Sequence, residues 1–128
     1  MAFEQFQPPS GRYTPIISVG RGGFGLSAGF ARKYQNEIVS PDMYGVKLFF
    51  DSERQAIGFQ IAPLSEDGVL KIKQLQRGGY FVPARAFMVQ YDIDDSYEPR
   101  YTPREEVMFG GKLFVIELKK KRRSVEQQ

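Results

Sequence analysis

Two arginines, each followed by a pair of glycines, are the residues whose type and spacing first suggest chemistry. Arg21-Gly22-Gly23 and Arg77-Gly78-Gly79 stand 56 positions apart (77 minus 21) in a chain of 128 residues. A guanidinium can neutralise a phosphate, form paired hydrogen bonds with a guanine edge or stack on bases. Disordered Arg-Gly-Gly tracts bind RNA, but these copies lie between apolar residues, where paired glycines indicate turns. We therefore predict that Arg21 and Arg77 project from two hairpin tips and contact nucleic acid.

Eight further basic residues are candidates for the same surface. Three fall on predicted helices, where a charged outer face is also the ordinary solvated state: Arg32, Lys33 and Arg85. Five form a C-terminal run that would add nonspecific attraction to nucleic acid or serve as a solubilising tail: Lys119, Lys120, Lys121, Arg122 and Arg123. Residues 1–118 hold 13 basic (18 minus 5) and 14 acidic (15 minus 1) side chains. Because this body is nearly neutral, local patches or the tail must attract DNA or RNA.

Four acidic residues close to one another, Asp92, Asp94, Asp95 and Glu98, could in principle supply oxygen ligands for Ca²⁺. They do not follow the EF-hand pattern, because Tyr97 stands where the turn glycine belongs and Pro103 stands where the bidentate glutamate belongs. We expect a polar loop and no metal site.

The composition is unfavourable for catalysis, since the chain contains neither histidine nor cysteine. The commonest general base and the commonest thiol nucleophile are therefore missing, and disulfides and thiolate metal sites are excluded. No Gly-Lys-Ser/Thr phosphate loop, nucleophile elbow or metal-ligand spacing is present. We expect a protein that is not an enzyme and needs no cofactor.

The sequence also bears on the compartment. No segment approaches the roughly 20 apolar residues of a membrane span, and the first residues lack the basic start and apolar run of a signal peptide. The lack of cysteine gives no support for an oxidising compartment. We expect a cytoplasmic protein without a membrane contact.

The elements that must position the two arginines recur in the order hairpin, helix, hairpin. In the first half, strands are predicted over 16–19, 24–26, 44–50 and 56–61, and Ser27 is the expected N-cap of a helix with Phe30 and Tyr34 on its apolar face. A length of 128 residues with 41% hydrophobic and 26% charged residues is typical of a single globular domain.

The second half repeats this order. Extended segments are predicted over 70–75, 80–82, 107–109 and 113–118, and Pro83 is the expected first residue of a helix whose apolar face holds Phe87, Met88 and Tyr91. Because Phe87 lies 57 positions after Phe30 (87 minus 30), one gap aligns the halves. A polar insertion over 92–106 interrupts this second copy.

Both halves resemble the AbrB/SpoVT family of swapped-hairpin β-barrel domains, whose unit is a hairpin, a short helix and another hairpin. The resemblance covers residues 15–118 and is carried by 44–51 and 57–59 in the first half and by Arg77, Gly78, Tyr80, Phe81, Val82, Pro83, Arg85 and Phe87 in the second. The sequence departs from the family pattern in three ways: the order is Arg-Gly-Gly and not Gly-Arg, the first copy has Ser27 where the second has Pro83, and the second copy carries the insertion over 92–106.

The resemblance implies a β-rich α+β fold in which two tandem ββαββ repeats, 15–61 and 70–118, build one barrel between an extended arm, 1–14, and the basic tail, 119–128. Family members bind DNA through basic residues near the first hairpin and helix. The chain would then be a transcription-regulator-like protein that binds DNA, with RNA as the other nucleic acid open to it. The alternative is a protein–protein adaptor or assembly component that uses the barrel and the aromatics Tyr97, Tyr101 and Phe109. Target sequence, partner and oligomeric state stay open.

The same patterns predict a core. Eight residues on apolar strand or helix faces are expected to be buried: Leu48, Phe50, Ile57, Phe59, Val82, Phe87, Val115 and Leu118.

Overall fold

The computed structural model describes residues 2–5, 14–38 and 40–122. Most of the predicted N-terminal arm and the end of the basic tail, including Arg123, lie outside these residues. The elements of the described part follow in this order: β1 (Ile17–Gly20), β2 (Gly23–Leu26), α1 (Ala28–Lys33), β3 (Tyr44–Asp51), β4 (Ala56–Pro63), β5 (Lys73–Gln74), β6 (Tyr80–Pro83), α2 (Arg85–Gln90), β7 (Arg100–Tyr101), β8 (Arg104–Met108) and β9 (Gly111–Glu117).

The strands form two antiparallel sheets. Sheet A has the order β5-β6-β2-β1-β7, and sheet B has the order β3-β4-β9-β8. The prediction of a β-rich α+β fold is confirmed. The described strands do not form the single closed barrel that we expected, because the hydrogen-bonded ladders end at β5 and β7 in sheet A and at β3 and β8 in sheet B.

One hydrophobic core joins the inner faces of the two sheets. The rings of Phe24 in sheet A and Phe59 in sheet B meet edge to face, with their centroids 5.1 Å apart. Of the predicted core residues, Ile57, Phe59 and Val82 are buried here, whereas four lie at the margin and are partly buried: Leu48, Phe50, Phe87 and Leu118. Val115 is buried in a separate small cluster on the other face of sheet B.

The predicted turns and the first helix have the expected local causes. Gly22 and Gly78 adopt φ of +78° and +90° in the two Arg-Gly-Gly turns, a region that residues with a Cβ rarely adopt. Ser27 is the N-cap of α1, and its hydroxyl accepts a hydrogen bond from the Phe30 amide at 3.0 Å.

Two predicted boundaries are wrong. Pro83 is the last residue of β6 and not the first residue of α2, which begins at Arg85 after the N-cap Ala84. A proline is tolerated at such a strand end because one missing N–H there does not interrupt the ladder. β8 begins at Arg104, so the polar insertion ends before Arg104, and the charged residues 104–106 form an exposed edge strand.

Candidate nucleic-acid interface

The outer face of sheet A carries a row of one residue from each strand. The register places Lys73 opposite Phe81, Phe81 opposite Gly25, Gly25 opposite Ser18, and Ser18 opposite Arg100. Residues directly opposite one another point to the same side of a sheet, and side chains alternate along each strand. The alternate positions hold buried core residues, among them Ile17, Phe24, Val82 and Tyr101. The row Lys73, Phe81, Gly25, Ser18 and Arg100, which we call the outer row, therefore faces away from the core.

The middle of the outer row is low and carries one aromatic ring. Gly25 has no side chain, and the Ser18 hydroxyl lies 3.5 Å from the Gly25 carbonyl oxygen. The Phe81 ring lies over Gly23, since a Cβ on that glycine would be 2.6 Å from the Phe81 Cζ. Phe81 is half-buried, and its ring stacks on no other aromatic ring of the described part. Four inter-strand spacings of about 4.8 Å make the row about 19 Å wide.

The ends of the outer row are positively charged. Lys73 and Arg100 are exposed, and neither forms a salt bridge with a described residue. Sheet B is different, because Arg54 lies 2.8 Å from Glu106 and Arg104 lies 2.8 Å from Glu117. The cations of sheet A are thus available to an external anion, while the arginines of sheet B already have carboxylate partners.

The structure separates the two arginines of the repeated motif. Arg21 lies in the turn between β1 and β2, and Arg77 lies in the turn between β5 and β6. Because β2 and β6 pair antiparallel, with Gly23 opposite Pro83 and Leu26 opposite Tyr80, these turns occupy opposite ends of sheet A. About seven residues at 3.3 Å each separate them, or roughly 23 Å. Both side chains are exposed, and neither has a salt-bridge partner within the described ranges.

A groove of about 710 Å³ brings three of the predicted basic residues together. Arg21, Arg85 and Lys121 line it between the β1–β2 turn, α2 and the segment 92–99. The Arg85 guanidinium lies beside Gly22, where an added Cβ would be 3.9 Å from Nη2. The same groove is lined by three carboxylates, those of Asp92, Asp94 and Asp95. A polyanion would meet both charges here, so this groove suits phosphate less well than the outer row does.

The acidic segment has its own internal partners. The Asp94 carboxylate accepts hydrogen bonds from the Ser96 hydroxyl and from the Ser96 amide, the latter at 2.9 Å. These bonds lower the pKa of Asp94. Within residues 2–5, 14–38 and 40–122, no group of three or more acidic side chains is placed to hold a metal ion.

The first residues of the predicted tail belong to the folded body. The Lys119 carbonyl accepts a hydrogen bond from the Glu98 amide at 2.7 Å, and the Lys121 amide donates to the Ser96 carbonyl at 2.8 Å. The Lys120 ammonium lies 2.7 Å from the Ser96 hydroxyl oxygen and 4.2 Å from the centre of the Tyr97 ring. Arg122 is exposed, and Arg123 is outside the described residues.

The remaining candidates lie elsewhere. Arg32 and Lys33 occupy the last turn of α1, where positive charge complements the helix dipole. The Lys33 ammonium lies 5.5 Å from the centre of the Tyr34 ring. The helix packs on sheet B, since Phe30 contacts Phe114 with ring centroids 4.9 Å apart. Neither basic residue belongs to the outer row or lines the groove beside Arg21.

Sequence reasoning missed Lys73, Phe81 and Arg100 as site residues. Phe81 had a signal, because alternation along 80–82 assigns Tyr80 and Val82 to one face and Phe81 to the other. No sequence pattern pointed to Arg100, because β7 has only two residues and is defined by its pairing with β1.

A second exposed feature is apolar. Val107, Met108 and Phe109 form the tip of the β8–β9 hairpin, and Val107 is 88% exposed. Phe109 stacks on Phe49 at a centroid distance of 4.5 Å, beside a groove of about 330 Å³ on the outer face of sheet B. Tyr101 is instead buried, and its hydroxyl donates a hydrogen bond to the Lys119 carbonyl. The aromatic residues of the adaptor hypothesis therefore do not form one surface.

Comparisons with known proteins add no assignment to this geometry. No family model, curated protein or solved structure matches the chain. None of the described helices has the length and apolar character needed to cross a membrane.

Proposed function

We propose that this protein is a non-enzymatic, cytoplasmic nucleic-acid-binding protein of the transcription-regulator type, and that it binds through the outer row and hairpin tips of sheet A. The observation that carries the proposal is the contrast between the sheets. Lys73, Arg100, Arg21 and Arg77 have no salt-bridge partner among the described residues, whereas Arg54 and Arg104 are paired with glutamates. Unpaired cations release counterions from a nucleic acid when they bind its phosphates.

We further propose that the chain is a tandem duplication of an AbrB/SpoVT-type swapped-hairpin unit. The strand registers support this reading. Gly25 pairs with Phe81, and the two residues differ by 56 positions (81 minus 25). The same shift converts the pair Asp51 and Ala56, at the β3–β4 turn, into the pair Val107 and Lys112, at the β8–β9 turn.

Each sheet also combines one hairpin from each half. The hairpins β1–β2 and β5–β6 join through β2 and β6, and the hairpins β3–β4 and β8–β9 join through β4 and β9. Exchange of hairpins between units is the feature that the term swapped-hairpin describes. Under this reading Arg21 and Arg77 are equivalent positions and contact separate phosphates, one at each end of sheet A.

The test compares two double variants with the same change in charge. Binding of fluorescent random-sequence oligonucleotides, duplex and single-stranded, is measured by anisotropy at several salt concentrations. Lys73→Ala with Arg100→Ala should weaken binding and lower the logarithmic salt slope by about two. Arg54→Ala with Arg104→Ala on sheet B is the matched control and should leave the slope unchanged. No binding by the parent at low salt, or equal losses in both variants, would overturn the proposal.

The exposed apolar tip of the β8–β9 hairpin favours a second candidate function, in which the chain is an assembly component. β8 is an edge strand whose outer side has no described partner, and Val107 adds an apolar side chain to it. Sedimentation that depends on protein concentration in the parent but not in Val107→Lys would support assembly through this edge. A parent that sediments as a monomer at all concentrations would exclude self-assembly.

A further inference from the structure

We infer that the outer row binds single-stranded nucleic acid, with an unstacked base lying on the Phe81 ring and phosphates held by Lys73 and Arg100. This inference rests on the proposed function and specifies its ligand.

The shape of sheet A argues against a duplex on this face. A major groove about 12 Å wide admits a helix or a two-stranded ribbon. The outer row crosses five strands over about 19 Å, and its middle residues, Gly25 and Ser18, have at most a hydroxymethyl side chain. A broad, low face of this kind reaches the backbone of a duplex but not its base edges.

The chemistry of the row matches a single strand. Every base has a π-face, and an unpaired base can leave its own stack to lie on an aromatic side chain. Phe81 lies directly opposite Lys73 on the neighbouring strand, and Gly25, opposite it on the other side, has no side chain to cover the ring. A base on the ring and a phosphate at the adjacent ammonium are the two contacts that a sequence-tolerant single-strand site combines.

The core does not need an aromatic residue at position 81. Tyr80 and Val82, on the inner face of β6, pack on the core, while Phe81 covers Gly23 from outside. A leucine would cover that glycine equally well but offers no π-face. Phe81→Leu is therefore a variant that separates stacking from packing.

The first experiment uses the full-length chain with fluorescein-labelled oligothymidylate of 15 nucleotides and a random 15-base-pair duplex. Phe81→Leu should weaken binding to the single strand about tenfold, with the salt slope unchanged, and should leave duplex binding as in the parent. Phe109→Leu, a matched change at an exposed ring of sheet B, should alter neither affinity.

The second experiment reports stacking directly. The chain contains no tryptophan, so Phe81→Trp introduces a single indole whose emission a stacked base quenches. We expect saturable quenching by oligothymidylate in Phe81→Trp and none in Phe109→Trp. Equal affinities of Phe81→Leu and the parent for the single strand, or absence of quenching despite binding, would overturn this inference and leave the proposed function standing. A parent that binds neither oligonucleotide overturns both.

Discussion

The hydroxyl of Tyr34, at the end of α1, donates a hydrogen bond to the carboxylate of Glu105 in the edge strand β8. The Tyr34 ring is buried and packs on Phe114, with centroids 4.5 Å apart. Burial, followed by the bond to Glu105, raises the pKa of Tyr34 above its ordinary value. The same bond lowers the pKa of Glu105. The donor therefore stays protonated and the acceptor stays charged at neutral pH.

Tyr34→Phe should lower the free energy of unfolding at pH 7 by about 1 kcal/mol, the typical net value of a hydrogen bond. Since the pKa of Glu105 is lower in the folded state, its contribution is present above the ordinary glutamate pKa of about 4.3 and is lost as the pH falls through the lower folded value. Urea denaturation at pH 7 and pH 3 should show the difference from the parent shrinking in acid. Tyr44→Phe is the control. The Tyr44 hydroxyl forms no hydrogen bond with a described residue, so this variant should show no such trend.

Ser27 contributes more than a helix cap. Its hydroxyl oxygen accepts hydrogen bonds from the amides of Phe30 at 3.0 Å and Ile16 at 2.9 Å, and its proton is donated to the Thr14 carbonyl at 3.2 Å. Ser27→Ala should therefore cost about 2 kcal/mol, at the upper end for an N-cap. Ser27→Thr should recover most of this in the same denaturation series. If the free energy of unfolding of the alanine variant falls by less than about 0.5 kcal/mol, the Ser27 hydroxyl does not hold α1 to the segment before β1.

Phe59 lies at the interface between the two sheets. Its ring, which is 1% exposed, packs edge to face on the Phe24 ring of sheet A. Phe59→Ala should lower the free energy of unfolding by about 3–5 kcal/mol through lost burial and a residual cavity. Phe109→Ala, at an exposed ring, should cost far less. A denaturation midpoint equal to that of the parent, with unchanged slope, would show that Phe59 does not hold the two sheets together.

The hairpins were predictable because their causes are local. Glycines in the left-handed region at Gly22 and Gly78 fix the turns, and the alternation from Ile57 to Phe59 fixes which side of β4 faces the core between the sheets. The start of α2 was not predictable, because Pro83 fits both the first turn of a helix and the end of a strand. Only its pairing with Gly23 in the next strand decides between them.

The candidate site was predictable in residue type but not in place. The repeated arginines drew attention to two tips, yet the antiparallel pairing of β2 with β6 separates those tips. Lys73 and Arg100 lie on strands of two residues each, which are too short to leave a periodic signal. Their position beside Phe81 and Ser18 depends on register between distant segments, which spacing along the chain does not encode.

The first three residues of the basic C-terminal run are hydrogen-bonded to the segment 96–101 and can be tested as part of the fold. A chain that ends at Lys121 keeps the hydrogen bonds between Ser96 and Lys121, between Glu98 and Lys119, and from the Tyr101 hydroxyl to Lys119. Its free energy of unfolding should match that of the full chain within about 0.5 kcal/mol.

A chain that ends at Leu118 loses all three of these bonds and leaves the hydroxyl of the buried Tyr101 without its partner in the Lys119 backbone. It should lose about 2–3 kcal/mol, since each such bond contributes roughly 1 kcal/mol. Hydrogen exchange at the Glu98 amide should accelerate in this chain alone, because that amide donates to the Lys119 carbonyl. If the two truncated chains are equally stable and equally protected at Glu98, residues 119–121 are a tail in the ordinary sense and not part of the fold.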